Sequence, residues 1–548
     1  MTGASTQDYA AAYRDFDVGQ SYGVLEGTKD TGFNAFEELC GRRVRSGTIA
    51  LQWMATDGRI VKWSFAELAK KAGQFADMLM AGGAQPGDRV AGLLPRRPEL
   101  LVVLLGTLKA GCVYQPLFTA FGPRAIEARL AVSEPVLVVT DQPNRSKLDG
   151  IILKRILDID TTEGAESFTL ALGEKNKPQS SVMLDANAPF LMMFTSGTTG
   201  TPKGVLIPIH MLRAIWGYMR YGLDLRPDDN FWNLADPGWA YGLYYAICGP
   251  LLIGQAVTLS EAPFSVERTY DILSAFDITN FAGAPTAYRA MTNSPLQPPA
   301  GVRVISSAGE TLDADTATEL KEKFGCAARD HWGQTELGMV LCDHHGLNHA
   351  REAGSIGLPS PGWRAVTLDP NGDECPAGEP GALAVDRRSG LFWFEGYYAR
   401  DEQPFVGNYY LTGDTVVQGA DGAFRFVGRD DDVITSSGYR IGPTEVEGAL
   451  LEHPLVAEAA VIGRPDPVRT ETVKAFVRLR DDSTGNDALA NEIGEFVKKR
   501  LAAHAYPREV EFVSELPKTP SGKIQRFLLR RQEVEKIAAK DPAKTSQA

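Results

Sequence analysis

The most constraining stretch of this chain is a short apolar run that opens directly into a glycine- and hydroxyl-rich loop. Phe190-Leu191-Met192-Met193-Phe194 is followed at once by Thr195-Ser196-Gly197-Thr198-Thr199-Gly200-Thr201-Pro202-Lys203-Gly204. A brief, wholly apolar run without polar alternation is the pattern of a strand buried on both faces. Its glycines let backbone N–H groups turn toward one point, its hydroxyls add donors, and Lys203 supplies charge. Such a loop suits a phosphate chain. Counted from Gly197, however, Pro202 stands where a Walker loop has its second glycine. Gly204 stands where that loop has its magnesium-binding Ser or Thr. The departure argues against a P-loop NTPase.

At 548 residues the chain exceeds one ordinary core, which predicts a large composite body with at least one smaller unit. Up to about residue 400, short apolar runs alternate with amphipathic stretches, the texture of α/β folds. Pro98 opens a helix carrying Leu100 to Leu108, and Gly111 closes it. Val302–Ile305 reads as another buried strand, ending in Ser306-Ser307-Ala308-Gly309-Glu310. Beyond residue 430 the texture changes. Pro443 begins a short helix, and Val456–Ile462, Val473–Leu479 and Val510–Val513 read as strands. Leu489, Ile493, Phe496, Val497 and Leu501 fall on one helical face. The tail from Glu533, rich in Lys and Ala, reads as frayed.

Charge excludes several classes. Lys and Arg number 56 against 69 Asp and Glu, a net charge of −13. A nucleic-acid binder needs a basic footprint, and anionic lipid attracts basic surfaces. The acidity belongs almost wholly to residues 1–430, so the remainder can approach small anions. No apolar run reaches the ~20 residues of a transmembrane helix, and the N-terminus lacks a secretory pattern. Six cysteines without a CxxC pair predict a reducing cytoplasm rather than disulfides or a zinc ribbon. No feature points to an oligomeric state.

Other clusters read as structural. Gly19-Gln20-Ser21-Tyr22-Gly23 matches the nucleophile-elbow pattern, but polar Tyr13-Arg14-Asp15-Phe16-Asp17 precedes it instead of an apolar strand. His344, His345 and His349, with Cys342 and Asp343, have metal-binding chemistry. Their polar surroundings read as a solvated turn. Asp430-Asp431-Asp432 reads as a solvated segment, because three successive carboxylates do not converge on one ion. His331 reads as a packing residue.

The phosphate-type loop resembles that of the adenylate-forming superfamily, which includes acyl-CoA synthetases and adenylation domains, and six further segments match in order. Ala308-Gly309-Glu310 resembles the adenine-lining segment. Trp332-Gly333-Gln334-Thr335-Glu336 resembles the motif whose Thr touches the α-phosphate and whose Glu serves magnesium. Tyr410-Leu411-Thr412-Gly413-Asp414 and Gly428-Arg429-Asp430-Asp431 resemble the ribose-binding Asp and Arg and the hinge Asp. Gly438-Tyr439-Arg440-Ile441 resembles the loop lining the thiol tunnel. Pro520-Ser521-Gly522-Lys523 resembles the loop with the catalytic Lys. The resemblance implies an α/β body of stacked sheets with helices over residues 1–430, and a small mobile α+β lid over 431–548, hinged at Asp431. It implies ATP, Mg2+ and coenzyme A as cofactor and substrates. Thr195, Ser196, Gly197, Thr198, Thr199 and Lys203 would hold the phosphates, and Gly309, Glu310, Trp332, Gln334, Thr335, Asp414 and Arg429 the nucleotide. Lys523, Thr335 and Glu336 would be catalytic, with Glu336 serving the metal.

These residue types fit the chemistry. A carboxylate is a poor electrophile, and attack on the α-phosphate of ATP gives an acyl-adenylate with a far better leaving group. Charge gathers on phosphate oxygens, so catalysis is mostly positioning and electrostatics. For the acid, Ala235-Asp236-Pro237-Gly238-Trp239 and Gly249-Pro250-Leu251 resemble acetyl- and medium-chain acyl-CoA synthetases. Acetate enzymes carry two tryptophans before Gln-Thr-Glu. Here Trp332 is followed by Gly333, and the lost indole predicts room for methylenes worth ~0.8 kcal/mol each. The expected substrate is a small-molecule carboxylic acid larger than acetate, short branched or medium-chain, in a pocket bordered by Trp239 and Gly333. Rival readings are a carrier-protein thiol as acceptor, an aryl or acetate ligase, a luciferase-like use of the adenylate, and a catalytically dead nucleotide-binding regulator.

Overall fold

The computed structural model describes residues 7–173, 178–195, 202–351, 354–401, 403–429, 432–436, 439–466, 470–480, 485–501, 506–518 and 524–540. The chain forms two compact units. The first comprises residues 1–365 and 385–410, and the second residues 366–384 and 411–548. The architecture is α/β, with a large sheet-rich N-terminal part and a smaller C-terminal one.

In the first unit, a seven-stranded sheet has the order Tyr397–Tyr398, Lys203–Pro208, Pro189–Thr195, Val113–Pro116, Arg89–Leu93, Leu137–Thr140, Ile156–Asp158. From Pro189–Thr195 onward the neighbours are parallel. These strands are largely apolar and buried, as expected where helices cover the sheet. Pro98–Lys109 is one of them, buried along nearly its whole length and started by a proline whose missing N–H costs a helix start nothing. It packs on Phe65–Ala81, which begins with a reciprocal capping box between Ser64 and Glu67. A second set of parallel strands runs Phe231–Asn233, Asn280–Gly283, Val304–Ala308, Ala328–Gln334, then turns antiparallel into Gly338–Cys342 and Ser355–Pro359. Among the described residues no helix is long and apolar enough to cross a membrane.

The second unit ends in a five-stranded sheet of Tyr439–Ile441, Ile434–Ser436, Thr470–Leu479, Val456–Asp466 and Glu509–Phe512. Strand alternation sorts its residues. Val473, Ala475, Val477 and Leu479 face one core with helices Pro443–Leu451 and Asp487–Arg500. Phe476 faces the other way, with Ala460, Ile462 and Leu529 of helix Arg526–Lys540. The predicted fraying from Glu533 is therefore incorrect as far as Lys540. Glu533 is 2% exposed and bonds Lys474, on the same face as Phe476, at 2.9 Å. Residues 541–548 lie outside the described residues.

Lys474, itself 2% exposed, also meets Glu509 at 2.8 Å and Glu511 at 2.7 Å. Burial pushes the Glu533 carboxyl up, but hydrogen bonds from Lys474 and Lys536 outweigh it and hold it below its ordinary value. Removing one partner of a buried ion cluster leaves uncompensated charge, so Lys474→Met is expected to cost about 3–5 kcal/mol at neutral pH. The sign with pH follows from the lowered carboxyl. Its contribution is full above the ordinary glutamate range and lost as pH falls through the lowered value. Urea denaturation should therefore show the gap between parent and variant narrowing on acidification; a gap that widens would contradict this account.

Candidate active site

The phosphate-type loop is gripped at its base. Pro189–Thr195 pairs antiparallel with Lys203–Pro208, and Thr195 stands opposite Lys203. The segment is followed by an antiparallel strand rather than by the helix of a Walker motif, which agrees with the absence of Walker spacing. Ser196, Gly197, Thr198 and Thr199 lie outside the described residues. The Lys203 ammonium sits 4.8 Å above the ring of Tyr397, which lies on the strand paired with Lys203–Pro208. The Tyr397 hydroxyl donates to Glu336 Oε1 at 2.8 Å.

Glu336 and Thr335 occupy the tip of a hairpin formed by Ala328–Gln334 and Gly338–Cys342. A glycine is required at 338, where φ is +75°. Aromatic residues from distant segments fix this tip. Tyr244 donates to the Thr335 carbonyl at 3.1 Å, and Trp393 donates to that of Leu337 at 3.1 Å. Tyr410 donates to Gln334 Oε1 at 2.9 Å, and the Tyr245 hydroxyl accepts from Met339 N–H at 2.8 Å. Glu336 is 6% exposed, so a hard carboxylate is held in a largely dry site. On the neighbouring parallel strand Ala308 stands beside His331, which brings Gly309 and Glu310 to the same end as Trp332. Ligands of α/β sheets bind at such carboxyl ends. Glu310 accepts from Thr286 at 2.9 Å and pairs with Arg289 at 3.1 Å.

Gly333 follows a bulge after Trp332. A Cβ built there lies 2.2 Å from the Gly338 carbonyl oxygen. The expectation that a missing indole leaves equivalent empty space is corrected on this point. In this hairpin position 333 has no room for any side chain, so an indole there requires the backbone to move. Trp239 packs its ring 5.3 Å from Phe118 and 5.4 Å from Phe121.

The histidines are not in a solvated turn, which corrects that reading. His344 is fully buried and bonds Ser360 at 3.1 Å, while His345 bonds the Ile305 carbonyl at 3.0 Å. Among the described residues no group of three or more His, Cys, Asp and Glu could hold a metal. His331 is buried as expected, 2.6 Å from the Tyr218 hydroxyl. Burial lowers its pKa to about 4, which keeps the imidazole neutral. Ser21 ends a short helix starting at Val18 and donates to the Val18 carbonyl at 2.6 Å, so no nucleophile elbow forms. Asp432 is not solvated either, because it pairs with Arg526 at 3.2 Å and with Arg530.

Asp330, on the same strand as His331, is pushed up to about 7 by burial, against hydrogen bonds from Leu312 N–H and Ser307. A raised acid contributes stability below its ordinary range and loses it as pH rises through about 7. Asp330→Asn keeps the group neutral throughout. Its thermal stability is expected to gain on the parent from about pH 5 to about pH 8. A constant difference would place the titration elsewhere.

In the second unit, Asp414 and Arg429 face each other across antiparallel strands, 3.1 Å apart, with Asp414 3% exposed. Tyr439 and Arg440 lie on strand Tyr439–Ile441. Asp431, Gly438 and Lys523 lie outside the described residues. The supporting roles of Tyr244, Tyr397 and Tyr410 are not legible in the sequence, since only folding brings them to the hairpin tip.

This constellation, a lysine at the base of a phosphate-type segment linked through Tyr397 to a buried carboxylate at strand ends, is that of a nucleotide-activating enzyme. Residues 41–398 match the family model of the AMP-binding enzyme, and residues 445–523 match the AMP-binding enzyme C-terminal domain. The chain is 35% identical over 554 residues to acetyl-coenzyme A synthetase of Bacillus subtilis, covering 96% of this chain and 95% of that one. A crystal structure of Brucella canis acyl-CoA synthetase aligns with a TM-score of 0.78 at 48% identity, covering 97% of this chain and all of that one. A benzoate CoA ligase from Burkholderia xenovorans aligns with a TM-score of 0.80 at 29% identity, covering 91% of this chain and all of that one. The chain belongs to the AMP-binding enzyme family. Within it the chain is an AMP-forming acid–thiol ligase of the acyl-CoA synthetase class, with ATP, Mg2+ and coenzyme A as its cofactor and co-substrates.

Proposed function

We propose that the chain converts a carboxylic acid larger than acetate, short branched or medium-chain, into its coenzyme A thioester. The carboxylate oxygen attacks the α-phosphorus of ATP and diphosphate leaves. The thiolate of coenzyme A then attacks the acyl carbon and AMP leaves. In this reading Thr195 and Lys203 steady the departing diphosphate, together with Ser196, Gly197, Thr198 and Thr199. Thr335 contacts the α-phosphate, Asp414 and Arg429 take the ribose, Gly309 and Glu310 border the adenine, and Trp332 and Gln334 contribute to the nucleotide site. Lys523 serves the first half-reaction and Gly438, Tyr439 and Arg440 the second, about a hinge at Asp431 between a body of residues 1–430 and a lid of residues 431–548.

Glu336 fits magnesium by its chemistry. It is a hard oxygen donor, and this ion is commonly held by one or two carboxylates plus substrate phosphates. When bound, the ion would neutralise charge on the phosphates. The chain's own task is to orient that carboxylate, hold Lys203 nearby and exclude water.

The acid assignment rests on the sequence at position 333, which carries glycine where acetate enzymes carry a second tryptophan; the hairpin, whose Gly338 carbonyl lies 2.2 Å from a Cβ built there, cannot take that indole without a backbone shift. In this reading Trp239, which packs against Phe118 and Phe121, would supply an aromatic wall suited to methylenes. The six cysteines are all unpaired, which supports a reducing, cytoplasmic location. The test is a panel of acetate, isobutyrate, hexanoate, octanoate and benzoate with coenzyme A as acceptor. The reading expects the highest kcat/KM on a branched or medium-chain acid. A preference for acetate or benzoate would overturn it.

A further inference from the structure

We infer that Tyr397 is a positioning residue that sets Glu336 and Lys203 as one rigid unit around the phosphate chain. The inference rests on reading Glu336 as the magnesium carboxylate and Lys203 as the diphosphate lysine. Tyr397 touches both. Its hydroxyl donates to Glu336 Oε1 at 2.8 Å, and its ring lies 4.8 Å below the Lys203 ammonium.

Its own placement is over-determined. Tyr397 pairs with Val205 on the strand that leaves the phosphate-type loop. The Gln403 side chain accepts from Tyr397 N–H at 2.8 Å, and the Phe394 ring packs edge-on 5.2 Å away. A neutral hydroxyl donor fixes the plane of the carboxylate without cancelling its charge. The ring face holds the ammonium electrostatically while leaving its N–H groups able to donate. A residue joining a metal carboxylate to a phosphate lysine keeps the two charges apart yet aimed at one substrate. Outer partners of metal ligands typically govern metal affinity by 10–100-fold.

Tyr397→Phe separates the two contacts, since it keeps the ring and removes the hydroxyl. Calorimetric titration of the full-length protein with Mg·ATP, and with ATP in EDTA, reads binding without turnover. The inference expects Tyr397→Phe to weaken Mg·ATP binding by roughly 10-fold or more, with ATP binding in EDTA and thermal stability unchanged. Tyr397→Leu should also weaken binding in EDTA, because Lys203 loses its platform. Glu336→Gln is the parallel measurement. If Glu336→Gln weakens Mg·ATP binding and Tyr397→Phe does not, the inference fails while the reading of Glu336 stands. If Glu336→Gln leaves Mg·ATP binding unchanged, that reading fails and the inference with it. Equal weakening by Tyr397→Phe with and without magnesium would mean a loosened site and would also overturn it.

Discussion

Lys523→Ala is expected to cripple acyl-adenylate formation while sparing thioester formation from supplied acyl-adenylate. In the first half-reaction two anions, the acid and the α-phosphate, must approach, and negative charge builds on the phosphate oxygens in the transition state. A fixed ammonium there is worth a few kcal/mol, so its loss should lower the rate by about 10²–10³. In the second half-reaction a thiolate attacks a neutral carbonyl and that need disappears. Acid-dependent ATP–diphosphate exchange reads the first step, and acyl-CoA formation from synthetic acyl-adenylate reads the second. Equal loss in both assays would remove Lys523 from the role proposed for it.

Glu336→Gln should be nearly as damaging, for a different reason. The substitution keeps size and hydrogen-bonding capacity but removes one negative charge from a site that is 6% exposed. In such a low-dielectric position a charge is worth more than in water, and the loss is expected to reach about 10²–10³ in kcat for adenylation. Raising magnesium should recover part of the loss if the carboxylate acts through the ion. Activity that falls less than a few fold and ignores magnesium would assign Glu336 a structural role.

Much of this site was legible because its chemistry demands particular residue types at fixed offsets. Thr195 and Lys203 bracket one loop, and Thr335 and Glu336 are adjacent at one hairpin tip. Apolar runs likewise mark three of the five C-terminal strands, those containing Val456, Val473 and Val510, but not the strands Ile434–Ser436 and Tyr439–Ile441. What escaped depends on register and packing. Tyr397 meets Glu336 only because a two-residue strand pairs with Lys203–Pro208. Polarity usually means exposure, which puts His344 and Asp432 in solvated segments, and a Lys- and Ala-rich composition puts Glu533 in a frayed tail. Each instead has a specific partner, Ser360, Arg526 and Lys474 respectively. Gly333 shows the same limit, since its identity suggested space and the hairpin geometry shows a close backbone approach.

The central claim is that the acid is activated as an acyl-adenylate. The most direct measurement follows oxygen from the carboxylate, using the acid of highest turnover with both carboxylate oxygens labelled as 18O. Attack on the α-phosphorus places one labelled oxygen in AMP when the thioester forms. The account predicts one 18O per AMP and none in diphosphate. Label in inorganic phosphate, or AMP without label, would contradict it.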